Sequence, residues 1–87
     1  MSMKNTKIEI YTNENCGYCK DLKKELENKN IKFKNKLTSD FKDEWQEVVK
    51  LTKIGIVPTV KCNNEYLVPG RDFTTMEQLI KQIKDKL

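Results

Sequence analysis

Between residues 7 and 28 the apolar residues change their period, and that change limits the folds open to the chain. Lys7 to Tyr11 (KIEIY) alternates polar and apolar, the repeat of a strand with one buried face. TNENCG then interrupts the pattern with turn and cap residues. From Tyr18 onward Cys19, Leu22 and Leu26 fall on one face at helical spacing, with Lys20, Asp21, Lys23, Lys24 and Glu27 over the rest. Asn28 to Asn30 ends that helix, and Ile31 to Leu37 (IKFKNKL) returns to alternation. A strand, a helix and a second strand in this order call for a parallel pair with a right-handed crossover.

The remaining chain extends the same layered scheme. Ser39 or Asp40 is expected to cap a second helix, with Phe41, Trp45, Val48, Val49 and Thr52 along one side. Thr59 to Cys62 alternates again and is entered through Pro58. Asn63 to Glu65 reads as a hairpin turn, and Tyr66 to Val68 as the returning strand. Thr74 to Glu77 (TTME) fits a capping box for a last helix with the apolar stripe Met76, Leu79, Ile80, Ile83 and Leu87. The expected order is β-α-β-α-β-β-α, an α/β fold with helices flanking a mixed four-stranded sheet. The turn from the first strand into the first helix lies at a strand's carboxyl end, where open α/β sheets tend to carry their chemistry.

Size and composition narrow the function classes. At 87 residues the chain is expected to form one domain, 1–87. No apolar run reaches the roughly 18 residues of a membrane span, and Met1 to Lys7 lacks the apolar core of a signal peptide, so a cytoplasmic protein without membrane contact is expected. The net charge is +4, but lysines are spread through every segment among Asp and Glu and are not interleaved with the aromatics. That arrangement argues for a solvated surface and against nucleic-acid binding.

Cys16 and Cys19, spaced CGYC, carry the chemistry. Zinc would need more ligands than the chain offers, since it has no histidine and only Cys62 besides the pair. A static disulfide would close a very small loop with little entropic gain. A redox pair fits the position. At the start of the first helix the unpaired N–H groups and the helix dipole favour an anion, and a cysteine so placed titrates well below the usual value of about 8.5. Lys20 adds some positive potential. Cys19, one turn further in, is expected to be more buried. Cys16 is therefore the attacking thiol and Cys19 the resolving one. Gly17 leaves the sulfur accessible, and Tyr18 is placed to flank a docked thiol substrate. Cys62 is expected in the core.

Two further segments accompany the pair. In IVP (Ile56 to Pro58) the proline begins a strand it cannot donate to, a setting that suits a cis bond and turns the N–H and C=O of Val57 toward an extended peptide. In VPGRDF (Val68 to Phe73) Gly70 permits a tight turn whose following N–H groups are expected to cradle a carboxylate, with Arg71 and Asp72 facing the opposite charges of a zwitterionic peptide end.

With these three pieces in this order, the chain resembles a glutaredoxin of the thioredoxin fold from about Lys7 to Ile83. CGYC is similar to the family's CPYC-type site, with Gly17 for proline; IVP is similar to its TVP, with Ile56 for threonine; VPGRD stands where the family has a GGxD segment. The resemblance implies Cys16 as the nucleophile that becomes glutathionylated and Cys19 as the resolving thiol. It implies a cis Pro58 and a glutathione groove of Tyr18, Val57, Pro58, Gly70, Arg71 and Asp72. It further implies a glutathione-dependent thiol–disulfide oxidoreductase, expected as a monomer. Its partners would be glutathione and disulfide-bearing or glutathionylated proteins, ribonucleotide reductase among the candidates.

The departures open alternatives. Asn13 stands where the family often has a lysine for the glycine carboxylate of glutathione, and Pro69 replaces the first Gly of the GG pair. A small residue in place of the active-site proline resembles members that bridge a [2Fe–2S] cluster between two subunits, with one Cys16 from each and glutathione completing the ligation. Small redoxins served by thioredoxin reductase are also similar, but they tend to carry Trp-Ser-Gly-Phe where this chain has Val68-Pro69-Gly70-Arg71. Thioredoxins favour a Trp before the first cysteine, and Asn15 stands there.

Overall fold

The computed structural model describes residues 6–87. The N-terminal reading therefore lies, from Met1 to Asn5, outside the described residues. The elements run β1 (Ile8–Thr12), α1 (Gly17–Asn28), β2 (Lys34–Leu37), α2 (Lys42–Thr52), β3 (Thr59–Cys62), β4 (Glu65–Leu67) and α3 (Met76–Asp85). The strands form one sheet in the order β2-β1-β3-β4, with β1 parallel to β2 and antiparallel to β3, and β3 antiparallel to β4. This is the expected β-α-β-α-β-β-α order on a mixed sheet.

Strand alternation sorts side chains onto two unlike faces. Ile8, Ile10, Val60, Cys62 and Leu67 pack with Leu22 and Leu26 of α1 and Leu79, Ile80 and Ile83 of α3 in one buried apolar cluster. That layer is the core. Opposite it, under α2, the sheet presents the buried Glu9, Tyr11, Lys36 and Thr59. Tyr11 sits between Lys36 of β2 and Thr59 of β3 in register, and its ring lies 5.6 Å from that of Trp45 on α2. Lys36 Nζ contacts Glu9 at 3.1 Å and Glu44 of α2 at 2.5 Å, and the Tyr11 hydroxyl donates to the same Glu44 oxygen. Polar groups at this depth are tolerable because each is paired.

Several expected boundaries move. The second strand begins at Lys34, not Ile31. Asn30 takes a left-handed conformation (φ 56°), and the N–H groups of Asn30 and Ile31 bond back to Glu27 and Leu26 at 3.1 and 2.9 Å. This is a Schellman closure, and it spends Ile31 as the apolar plug of the α1 terminus. Ser39 and Asp40 do not cap α2. Its N-cap is Phe41, with no side-chain bond, because Asp40 and Phe41 turn back onto the Leu37 carbonyl. Asp43 and Glu44 face the positive end of that helix instead. The cap of α3 is Thr75, one residue beyond the expected Thr74. Thr75 Oγ1 accepts the Gln78 N–H at 3.2 Å, and Gln78 Oε1 accepts the Thr74 N–H at 2.7 Å. Gln78 thus plays the part read for Glu77. Leu87 lies beyond α3 and stays exposed.

Candidate active site

The carboxyl end of β1 delivers the cysteine pair to the surface. Thr12, buried at the strand end, is tied to β2 by its hydroxyl, which donates to Asn35 Oδ1 at 2.6 Å, and by its carbonyl, which accepts the Thr38 N–H at 2.9 Å. The chain then turns tightly. Asn13 accepts the Cys16 N–H through its carbonyl (3.2 Å) and the Asn15 N–H through its side chain (2.9 Å). Asn13 thus shapes the turn.

Cys16 is the N-cap of α1, with extended backbone angles, and its Sγ accepts the Cys19 N–H at 3.0 Å. Cys16 is half-buried, while Cys19 is 1 % exposed inside the first turn. The two are joined as a disulfide, with Cα atoms 5.2 Å apart. A Cβ built at Gly17 would meet nothing within 4 Å. Local packing therefore does not demand glycine there, and the lack of a side chain leaves that side of the turn uncovered.

Tyr18, which stands between the two cysteines in sequence, lines a groove of about 330 Å³ together with Ile56, Val57, Pro58, Pro69, Gly70, Phe73 and Thr74. The Val57–Pro58 peptide bond is cis. Among the described residues the N–H and C=O of Val57 have no hydrogen-bond partner. The neighbouring Ile56 carbonyl accepts the Thr59 hydroxyl at 2.8 Å, which pins the segment to the start of β3. Partial burial raises the pKa of Tyr18 and keeps its hydroxyl protonated.

Arg71 and Asp72 are not among the residues lining this groove. The Asp72 carboxylate accepts the Val68 N–H at 2.8 Å and holds the Arg71 guanidinium at 2.9 and 3.0 Å, while Arg71 also donates to the Tyr66 carbonyl at 3.0 Å. The N–H groups of Arg71 and Asp72 both bond to the Val68 carbonyl, at 3.2 and 2.9 Å, and the Gly70 N–H bonds to Phe73. The amides expected to cradle a carboxylate are thus spent inside the turn. Gly70, at φ +83°, sets that turn. The structure adds Ile56, Pro69, Phe73 and Thr74 to the residues singled out from the sequence. Ile56 was legible as the first residue of IVP, and Pro69 and Phe73 as members of VPGRDF; Thr74, read only as a helix cap, depended on how the loop closes against the groove.

Among the described residues no group of three or more His, Cys, Asp or Glu side chains could hold a metal ion, and no helix is long and apolar enough to cross a membrane. For a [2Fe–2S] cluster shared between two copies, Cys16 is the one partly exposed sulfur this chain could offer, since Cys19 and Cys62 are buried. The remaining ligands would have to come from outside it. Cys62 lies in the apolar cluster, where burial pushes its thiol pKa up.

Comparison with known proteins agrees with this geometry. Residues 8–67 match the family model described as Glutaredoxin. A glutaredoxin-like 8.6 kDa protein of the rubredoxin operon of Clostridium pasteurianum is 31 % identical over 75 residues, which cover 86 % of this chain and 99 % of that relative. The solved thioredoxin-like protein BC3987 superposes with a TM-score of 0.70 at 20 % identity, over 93 % of this chain and 100 % of that one. A buckwheat glutaredoxin in complex with glutathione superposes at 0.68 and 17 % identity, over 94 % of this chain and 73 % of that one. These two structures speak to the fold, and the family model and the clostridial relative to descent. A redox-type cysteine pair on this fold, with both sequence matches, makes the chain a member of the glutaredoxin family.

Proposed function

We propose that the protein is a glutathione-dependent thiol–disulfide oxidoreductase that reduces protein disulfides and glutathione mixed disulfides as a cytoplasmic, single-domain monomer. One observation carries the reading. A half-buried cysteine at a helix N-terminus is joined to a buried partner, beside a groove whose wall includes Tyr18, Val57, Pro58 and Gly70. The Cys16 thiolate attacks one sulfur of a substrate disulfide, forming a mixed disulfide and expelling the other sulfur as a thiolate. Cys19 loses its proton and attacks Cys16 Sγ. The second substrate thiolate leaves, two electrons have passed to the substrate, and the protein holds the Cys16–Cys19 disulfide. Two molecules of glutathione return the pair to thiols and leave as glutathione disulfide. On a glutathione mixed disulfide, Cys16 alone suffices if a second glutathione resolves the intermediate. The buckwheat neighbour, a glutathione complex, supports glutathione as the small thiol.

A second reading is favoured by the neutral lining of the groove: a small redoxin whose disulfide is reduced by thioredoxin reductase. Turnover of one mixed-disulfide substrate separates the two, run once with glutathione and glutathione reductase and once with thioredoxin reductase. The proposal expects the first system to support turnover and Cys16→Ser to abolish it. Turnover with thioredoxin reductase alone would replace glutathione as the electron donor. A Cys16→Ser protein as active as wild type would remove the assignment of the nucleophile.

A further inference from the structure

We infer that the groove beside Cys16 selects protein disulfides presented on an uncharged, apolar stretch of chain, and that the Arg71–Asp72 pair sets this preference by withholding the site's ionic anchors. The inference rests on the thiol-exchange reading above and names its substrate class.

Glutathione carries two carboxylates and one ammonium at neutral pH. A site that holds it tightly must pair those charges, because a charged group moved out of water without a partner is unfavourable. None of the residues lining the groove is charged. Arg71 and Asp72, the charged pair on the loop that carries Pro69 and Gly70, neutralise each other, and Asp72 is also held by the Val68 N–H while Arg71 is held by the Tyr66 carbonyl. The amides that would otherwise receive a carboxylate bond to Val68.

The same wall suits a different occupant. Ile56 is 56 % exposed and Tyr18 37 % exposed at the groove, with the buried Pro58 and Phe73 behind them. An apolar side chain next to the substrate cysteine would cover this surface and take it out of water. The unpaired N–H and C=O of Val57 would bond to the backbone of an extended segment, which supplies affinity without any charge. A neutral wall, free backbone groups and exposed apolar rim residues complement a neutral strand better than a zwitterionic tripeptide, so glutathione exchanges at Cys16 but is held there more weakly than an apolar segment.

The test uses the full chain and two peptides of equal length, each with the same intramolecular disulfide. In one the attacked cysteine is flanked by Leu and Val, in the other by Glu and Asp. A glutathione mixed disulfide of a small thiol is the third substrate. Wild type is expected to reduce the apolar peptide with a kcat/KM at least tenfold above the acidic one, the difference lying in KM. Asp72→Asn keeps an oxygen for the Val68 N–H but releases the charge of Arg71. It should lower KM several-fold for the acidic peptide and for the glutathione mixed disulfide. Ile56→Lys changes an exposed position, so its folding is secure, and it should shift the preference the same way. Equal KM values for both peptides in wild type, or a preference that neither variant moves, would overturn the inference while leaving the oxidoreductase reading intact. Failure of wild type to reduce any of the three would sink both.

Discussion

Cys16 Sγ lies 3.0 Å from the backbone nitrogen of Cys19, so the helical turn that ties the two sulfurs together also aims a donor at the outer one. On reduction that N–H is left facing Cys16 at the N-cap, where helix dipole and unpaired amides favour an anion. Alkylation of the reduced protein by iodoacetamide, followed against pH, is expected to show one fast thiol titrating below the roughly 8.5 of free cysteine. Cys16→Ser should remove that fast phase. Cys19→Ser should keep it, lose the reduction of protein disulfides, and retain part of the activity on glutathione mixed disulfides. A fast phase that survives in Cys16→Ser would reverse the roles.

Cys62 should be inert in the folded protein. It is 2 % exposed, and burial pushes its pKa up, so at pH 8 it is both inaccessible and protonated. Oxidised protein, with Cys16 and Cys19 joined, is expected to give no rapid thiol reaction with an aromatic disulfide reagent and one reaction after denaturation in guanidinium. Rapid reaction of native oxidised protein would place this thiol at the surface.

How much could be read from the chain depends on whether a feature is local. The change of period through residues 7–28, the cysteine spacing and the proline at the entry to β3 are short-range signals, and the element order and the active-site turn follow from them. Ile31 was misread because alternation cannot tell a strand residue from the plug of a Schellman closure. Thr74 and Thr75 both satisfy a cap pattern, with Glu77 and Gln78 as rival partners, and only the helix direction chooses between them. Lys36 was unreadable for a different reason. A lysine in a strand reads as solvent-facing until a partner from another element, here Glu44 of α2, is brought over it. The Arg71–Asp72 lock was hidden in the same way, since it depends on the loop folding back onto Val68.

Gly70 offers a test of that loop. Its φ of +83° lies where side chains are strained, yet a Cβ there would meet nothing within 4 Å. Gly70→Ala should therefore lose stability through the backbone alone, by about 1–2 kcal/mol. Urea unfolding followed by circular dichroism would measure it. A much larger loss would mean that the loop holds more of the fold than its hydrogen bonds indicate.

The layer under α2 predicts a stability plateau with two edges. Hydrogen bonds from the Lys36 ammonium and then the Tyr11 hydroxyl hold the Glu44 carboxyl below the usual range. Its contribution is complete above the unfolded value of about 4.3 and is lost as pH falls through the depressed folded value. Burial by itself would lower the pKa of Lys36, but its bonds to Glu44 and Glu9 outweigh that and raise it; burial and then Glu44 raise that of Tyr11. Both contributions are complete below about pH 10 and lost above it, as the unfolded chain gives up protons that the folded one retains. Urea midpoints between pH 3 and 11 should therefore fall at both ends, and Glu44→Gln should flatten the acid edge. Lys36→Met should cost about 3 kcal/mol at pH 7, because it strips the buried Glu9 carboxylate of its close partner and leaves, among the described residues, Lys7 at 3.9 Å. An unchanged midpoint in Lys36→Met would mean that the Lys36–Glu9 contact adds nothing to stability.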